Sequence, residues 1–296
     1  VEAPPLVAVG AELKSAVCVT RWSEAFVSQH TVDLGSPGAR AFFETAIREL
    51  GGAHAVAPAA VAHDLHPDYA STRWAIDSRL PRVAVQHHHA HVAACLVENG
   101  CAGPAIGIAF DGTGCGPAGD AWGGEFLAFD LEGFVRRGHL RGLPLAGGEA
   151  AIREPWRLAL AALVDAGEDP GRIRAERRRA VAQLLARAPK ATGAGRWFDA
   201  VAALVVGRDT ITYEAQAAVE FESLADGEDG QGYAFDIALD PEDASAFEID
   251  MRPVVRAVVR DLDDAVDRSR IASRFHSTMA EIAFAGARMV RESHRL

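Results

Sequence analysis

Four histidines fall in the five positions His87–His91, and the run Phe110-Asp-Gly-Thr-Gly-Cys-Gly-Pro-Ala-Gly-Asp-Ala-Trp-Gly-Gly-Glu125 follows shortly after. No other stretches constrain the chain as much. Val85-Gln86 is strand-like, and His87 to Asn99 reads as a helix stopped by Gly100. On a helix His87 and His91 share one face, with side-chain roots about 5–6 Å apart, close enough to meet one ion. Histidine is a poor helix former and each buried ring needs a hydrogen-bond partner, so four together require a reason. His88 and His89 point elsewhere on the helix, to support the ligands or face a bound molecule. Asp111 ends the strand-like run Ala105–Phe110 and offers a carboxylate, either to the same ion or to a magnesium-bound phosphate. Glycines at positions 112, 114, 116, 119, 123 and 124 are costly in conformational entropy unless close backbone approach is required, as by a phosphate. The plain alternatives are a polar helix start and an ordinary Asp-Gly turn. A metal ion beside a nucleotide accounts for both stretches at once.

Composition excludes several classes. The chain has 296 residues, 49% apolar and 24% charged, enough for one large soluble domain or two lobes. A net charge of -11 argues against a nucleic-acid surface. The basic patch Arg172–Arg179 lacks interleaved aromatics and reads as a solvated helix face. No apolar stretch approaches the roughly 20 residues that span a bilayer, and no signal-like leader is present, so no membrane partner is expected. Cys18, Cys95, Cys101 and Cys115 form no C-x-x-C pair, which suits a reducing, cytoplasmic setting. Cys95 is expected on the apolar side of its helix, and no Cys-His pair suggests a nucleophile. The chain opens without Met, directly into Leu6–Gly10, and both ends are expected to be cut from something longer.

Along the chain, Leu6–Gly10, Ala16–Thr20 and Ala25–Gln29 predict an antiparallel meander. A helix is expected over Ser36–Leu50, strands over Val56–Val61 and Val83–Gln86, and a helix between them over Pro67–Ser78. Ala105–Phe110 and Glu125–Phe129 flank the glycine-rich loop as a hairpin-like pair. From about Arg136 helices dominate: Ala150–Asp165 (with Pro155 interrupting), Arg174–Ala188, Phe198–Val206, Tyr213–Ala225, Arg252–Val266 and Ile271–Arg295. Gly227–Gly232 reads as an acidic, glycine-rich loop, and Tyr233–Leu239 as a strand.

Other candidates stay ambiguous on residues alone. Lys14, in the first inter-strand turn, is either a phosphate-binding point charge or a solvated lysine. Gly195 precedes a helix start on which Asp199 could accept from ribose hydroxyls or simply cap. His63-Asp-Leu-His-Pro-Asp68 is either a second metal site or a loop of Asx-type turns. Arg153 and Arg157 could meet anionic groups.

Taken in order, Ala8-Val-Gly-Ala-Glu-Leu-Lys14, Ser28-Gln-His30, Asp64-Leu-His-Pro-Asp-Tyr69, Val85-Gln-His-His-His-Ala-His91, Phe110-Asp-Gly-Thr-Gly114, Trp122-Gly-Gly-Glu125, Arg153-Glu-Pro-Trp-Arg157, Phe198-Asp-Ala-Val201 and Phe275-His276 resemble the carbamoyltransferase module of the HypF family of NiFe-hydrogenase maturation proteins. The resemblance implies an α/β, actin/sugar-kinase/Hsp70-like (ribonuclease H-like) fold of two lobes, here 1–135 and 136–296, the second mainly helical and incomplete. It is a fold shared with the tRNA threonylcarbamoyladenosine synthases and O-carbamoyltransferases. It further implies transfer of a carbamoyl group from carbamoyladenylate, made from carbamoyl phosphate and ATP by an adenylate-forming domain of the full-length protein. The acceptor is the C-terminal cysteine thiolate of a HypE-like partner. Carried over, His87, His91 and Asp111 are the ligands of a divalent transition ion, Zn or Fe. Gly112, Thr113 and Gly114 face phosphate, Lys14 adds charge, and Gly195 and Asp199 serve the nucleoside, Asp199 holding the ribose.

Two departures from the family pattern matter. The pattern continues past Leu296 with segments that contact adenosine and supply another aspartate, so adenylate binding by this chain is expected to be weak. Ala215 stands where glycine is favoured, which is expected to crowd the nucleotide. An inert binding fragment and an O-carbamoyltransferase for a small-molecule hydroxyl are the alternatives.

Overall fold

The computed structural model describes residues 4–31, 33–227 and 230–294. The chain divides into two units, one formed by Val1–Ala90 with Cys115–Gly119, the other by His91–Gly114 with Asp120–Leu296.

In the first, β1 (Leu6–Gly10), β2 (Ala16–Arg21) and β3 (Glu24–Val27) form the expected antiparallel meander. Alternation sends Val7, Val9, Val17 and Val19 to one face, where they are buried with Leu34, Phe43, Val61 and Ala75. β4 (Ala60–Asp64) and β5 (Arg82–Val85) add parallel on the other side, giving the order β3-β2-β1-β4-β5. β4 starts later than the expected Val56, because a strand bonded on both sides has no place for Pro58, which lacks an N–H. It runs on to Asp64, leaving that carboxylate at the strand's C-terminal end. α1 (Pro37–Ala53) starts as its Ser-Pro signal predicts: the Ser36 hydroxyl accepts from the Ala39 N–H at 3.2 Å. α2 (Ala70–Asp77) is shorter than expected, and the Ala70 N–H is satisfied from a distance by Glu12 Oε2 at 2.6 Å. α3 (His87–Glu98) follows β5 directly, as the sequence predicts, and from His91 on it belongs to the second unit.

In the second unit β6 (Ala105–Cys115) pairs with β7 (Ala121–Phe129). Most of the glycine-rich segment is therefore strand, with a turn only over 116–120. β8 (Phe134–Leu140), β9 (Leu143–Pro144), β10 (Lys190–Ala191), β11 (Asp236–Leu239) and β12 (Phe247–Asp250) complete a sheet ordered β11-β12-β8-β7-β10-β9. Residues 91–114 and 120–135, expected with the first lobe, group with this unit because β6 and β7 belong to its sheet. Of the five strands after β7, only β11 has a counterpart in the sequence reading. β9 and β10 are two residues long, and β8 interrupts its apolar positions with Arg136, Arg137, Gly138 and His139.

Helices α4 (Glu149–Arg153) and α5 (Trp156–Ala166) are separated at Glu154-Pro155, since proline cannot continue the hydrogen-bond ladder. α6 (Ala175–Leu185), α7 (Ala194–Val205), α8 (Gln216–Glu222), α9 (Arg252–Asp263) and α10 (Arg268–His294) follow. α7 opens before the expected Phe198, and α8 is shorter than the expected Tyr213–Ala225. Arg295 of the expected last helix, and positions 228 and 229 of the expected loop, lie outside the described residues. Phe126, Trp197, Phe221 and Phe275 are fully buried in one core between helices and sheet. Among the described residues no helix is long and apolar enough to cross a membrane.

α10 lies against β7 at Gly286, where an added Cβ would sit 2.0 Å from the buried ring of Phe126. Glycine to alanine in a helix interior ordinarily gains about 1 kcal/mol, whereas overpacking a core costs about 1–3 kcal/mol. Gly286→Ala is therefore expected to lower the urea midpoint with an unchanged slope; a raised midpoint would show that the helix is not pressed against β7.

Candidate metal and nucleotide site

β5 delivers the chain to Gln86, and Gln86 starts α3. Its Oε1 accepts from the His89 N–H at 2.8 Å, the cap that a helix beginning with histidines otherwise lacks. Its Nε2 lies 2.9 Å from His88 Nδ1 and donates to the Cys115 carbonyl at 3.2 Å. His88 is fully buried, so it belongs to the packing. His89 contributes its backbone to the cap. His87 and His91, one turn apart, are the two that gather with a carboxylate.

His87, His91 and Asp111 each offer one ligand atom, and these atoms all lie within 4.8 Å of one another. Asp111 is held by its neighbour in β6, the Gly112 N–H donating to Oδ1 at 2.6 Å. Behind His87 stands a further carboxylate, with Asp64 Oδ2 2.7 Å from His87 Nδ1. Burial pushes the Asp64 carboxyl up, but its hydrogen bonds with His87 and the His66 backbone outweigh this and hold it below the usual range. Two imidazoles and a carboxylate gathered so closely fit a divalent transition ion.

The glycines explain themselves on closer inspection. An added Cβ at Gly193 would lie 2.0 Å from the Gly112 carbonyl oxygen, and one at Gly195 would lie 2.9 Å from Gly112 Cα. Gly123, at φ 152°, would put one 2.8 Å from the Asp111 carbonyl oxygen. The close approach is thus between β6, β7 and the start of α7, within the chain itself. Gly112 and Gly195 are brought together; Thr113 is exposed on β6, and Gly114 is buried. Lys14 is exposed in the β1–β2 turn, at φ 48°.

Two charged groups are buried, which no local signal in the sequence shows. Glu125, fully buried, accepts from the Gly123 and Gly124 N–H groups at 3.0 and 3.2 Å, from the Thr192 hydroxyl, and from Arg136 Nε at 2.6 Å. Burial pushes its carboxyl up, and Arg136, the Thr192 hydroxyl and the Gly123 N–H together more than reverse this, so the net displacement is downward. Arg196, in the first turn of α7, lies beside Gly112, and its Nη1 is 3.0 Å from Asp199 Oδ2. This is an ion pair without hydrogen-bond alignment: neither Nη1 nor Nε has an aligned acceptor. Asp199 is 2% exposed and faces Arg196. Cys95, expected on an apolar face, is exposed, with Asn99 Nδ2 3.8 Å from its sulfur.

Burial pushes the Asp199 carboxyl up to about 6, Arg196 opposing only in part. The folded state therefore holds this proton more tightly than the unfolded chain, and stability falls as pH rises from about 4 to about 6. The expected loss is about 3 kcal/mol, complete above the folded value. Urea titrations of the parent and Asp199→Asn between pH 4 and 7 should differ by such a slope; parallel profiles would show that Asp199 titrates normally.

Residues 107–296 match the family described as carbamoyltransferase, Kae1-like domain, second subdomain, and residues 1–98 match the HypF Kae1-like domain. Carbamoyltransferase HypF2 of Cupriavidus necator is 48% identical over 75% of this chain and 29% of its own length. A carbamoyltransferase HypF homolog of the same organism is 38% identical over 99% of this chain and 78% of its own. The crystal structure of full-length HypF in the phosphate- and nucleotide-bound form superposes with a TM-score of 0.94 at 33% identity, covering 100% of this chain and 39% of that one. HypF of T. kodakarensis gives 0.84 at 26% identity, over 98% and 40%. The fold is accordingly the α/β, ribonuclease H-like one that the resemblance implies, and the chain spans under a third of HypF2 and about two fifths of the two solved HypF chains. This chain belongs to the HypF carbamoyltransferase family, a family of enzymes.

Proposed function

We propose that this chain transfers the carbamoyl group of carbamoyladenylate to the C-terminal cysteine thiolate of a HypE-like partner, in cyanide-ligand synthesis for NiFe-hydrogenase. The observation that carries the reading is the His87, His91 and Asp111 cluster, in a chain that matches a nucleotide-bound HypF structure along its whole length. The donor would come from the adenylate-forming domain of the full-length protein.

A carbamoyl–phosphate mixed anhydride needs its carbonyl polarised and its departing oxygen neutralised. A Zn or Fe ion on these three side chains would supply both as a Lewis acid. The chain's own groups do the rest. The Arg196 and Trp197 N–H groups bond the Gly193 carbonyl, so in the first turn of α7 it is the Ala194 and Gly195 N–H groups that would offer donors to the phosphate, with the Gly112–Gly114 segment alongside. Lys14 is a further point charge for it. Asp199, paired with Arg196 beside Gly112, would hold the ribose at the nucleoside end. The partner's sulfur attacks the carbamoyl carbon: the C–S bond forms, the C–O bond to phosphate breaks, and AMP leaves with the electron pair. The thiolate arrives deprotonated, so no base is needed in this chain.

The protein should hold about one transition ion per chain, and His87→Ala with His91→Ala should lose it; unchanged metal in elemental analysis would remove the basis of the reading. In full-length protein given carbamoyladenylate and the partner, Asp111→Ala should slow carbamoylation of the cysteine at least about a hundredfold while leaving the unfolding transition near that of the parent. Mass spectrometry of the acceptor peptide reads the adduct. Transfer at the parent rate would sink the role of Asp111, and adducts on a small-molecule hydroxyl would move the acceptor.

A further inference from the structure

The segment Asp64-Leu-His-Pro-Asp68 has no part in the reaction as proposed above, and its geometry gives it one. Asp64 ends β4, which is paired on both sides, and its backbone partner in β5 is Val85, two residues before His87. Only 7% of it is exposed. Both carboxylate oxygens are engaged by nitrogen: Oδ1 accepts from the His66 N–H at 2.8 Å, and Oδ2 lies 2.7 Å from His87 Nδ1. The backbone is held as well, since the Asp64 carbonyl accepts from the Thr72 hydroxyl at 3.2 Å and lies 2.7 Å from His63 Nδ1.

The other members of the segment are occupied with one another. His66 stacks on Tyr69 with ring centroids 4.2 Å apart, and its Nδ1 accepts from the Asp68 N–H at 3.2 Å. Among the described residues they gather into no ligand cluster of their own, which disfavours a second metal site.

We infer that Asp64 is a positioning residue for the ion: its carboxylate fixes His87 as the Nδ1–H tautomer and thereby presents Nε2 as the ligating nitrogen. This rests on the reading of His87, His91 and Asp111 as metal ligands. The chemistry is restrictive. A carboxylate has only acceptors, so the His87 nitrogen facing it carries the hydrogen, and in a neutral imidazole the lone pair is then on the other nitrogen. Such carboxylate–histidine pairs behind a metal tune both ring orientation and basicity. Asparagine at this position has one acceptor for two N–H donors. Asp64→Asn must set its NH2 against the His66 N–H or against His87. Against His87, the ring can accept only by moving its hydrogen to Nε2, which removes the lone pair the ion needs.

The test reads the tautomer and the affinity separately. In ion-free parent protein, long-range nitrogen–proton NMR should show His87 as the Nδ1–H form, and Asp64→Asn should shift it towards the Nε2–H form. Zn competition against a chelator should show affinity about 10–100-fold weaker in Asp64→Asn. In a His87→Ala background the same change should weaken residual Zn binding no further. A parent His87 in the Nε2–H form overturns the inference without any variant, so it does not depend on Asp64→Asn folding. An equal loss in both backgrounds overturns it too, because Asp64 would then act on the loop and not through His87. Parent protein that binds no Zn would instead sink the metal reading, and the tautomer result would stand apart from it.

Discussion

The second unit depends on one buried carboxylate. Glu125 has no solvent to stabilise its charge, so its oxygens must be met by the protein, and four donors from three parts of the chain meet them. Gly123 and Gly124 fix β7 to its own side chain, Arg136 ties in β8, and Thr192 ties in the turn that opens α7. Arg136 is in turn seated on the ring of Trp122, 4.2 Å from its centre. Removing one partner of such a group leaves a buried charge uncompensated, a loss of about 3–5 kcal/mol. The carboxylate therefore acts less as a source of stability than as a specification: β7, β8 and the α7 turn have one arrangement in which it is satisfied. The glycines complete that arrangement. Gly124 would place a Cβ 2.4 Å from the Thr192 carbonyl oxygen, so the contact Glu125 enforces exists only because the side chain is missing.

Position along the strands carries the site from there. Asp64 ends β4, Asp111 lies within β6 next to Gly112, and α3 begins two residues after β5 ends. Strand ends suit chemistry because the sheet holds the backbone while the side chain leaves the hydrogen-bonded network. The four histidines show the same economy. The His88 ring meets the Gln86 side chain, and the same side chain caps the His89 N–H. Only then are His87 and His91 held at a defined pitch, which a ligand pair requires.

Much of this was legible in the sequence where local chemistry dictates structure. Ser36-Pro37 is a helix start in any context, alternation in β1 and β2 needs no tertiary information, and a helical i, i+4 pair announces itself. The missed elements lacked local signals. β12 and β8 are stabilised by each other, through Phe247 filling the space above Gly138, and neither segment shows a pattern alone. Glu125 stands in the Trp122-Gly-Gly-Glu125 motif, but its burial, like that of Arg196, has no local signal: a buried charge looks like a surface one until its partners, far along the chain, are known. The glycine-rich run was legible as a demand for close approach, but the approaching group is in part the chain's own backbone.

Ala215 shows how a motif departure changes meaning once the backbone is seen. The residue is exposed and its φ is 58°, in the left-handed region. Glycine is favoured there because a Cβ costs about 1–2 kcal/mol in that conformation. The departure is therefore a local strain at the start of α8, borne by a helix whose next residue, Gln216, is anchored. Its Oε1 accepts from the Thr212 N–H at 2.8 Å, and its Nε2 donates to Glu220 at 2.9 Å. These bonds hold the turn in the conformation that alanine resists, so the departure carries a cost in stability.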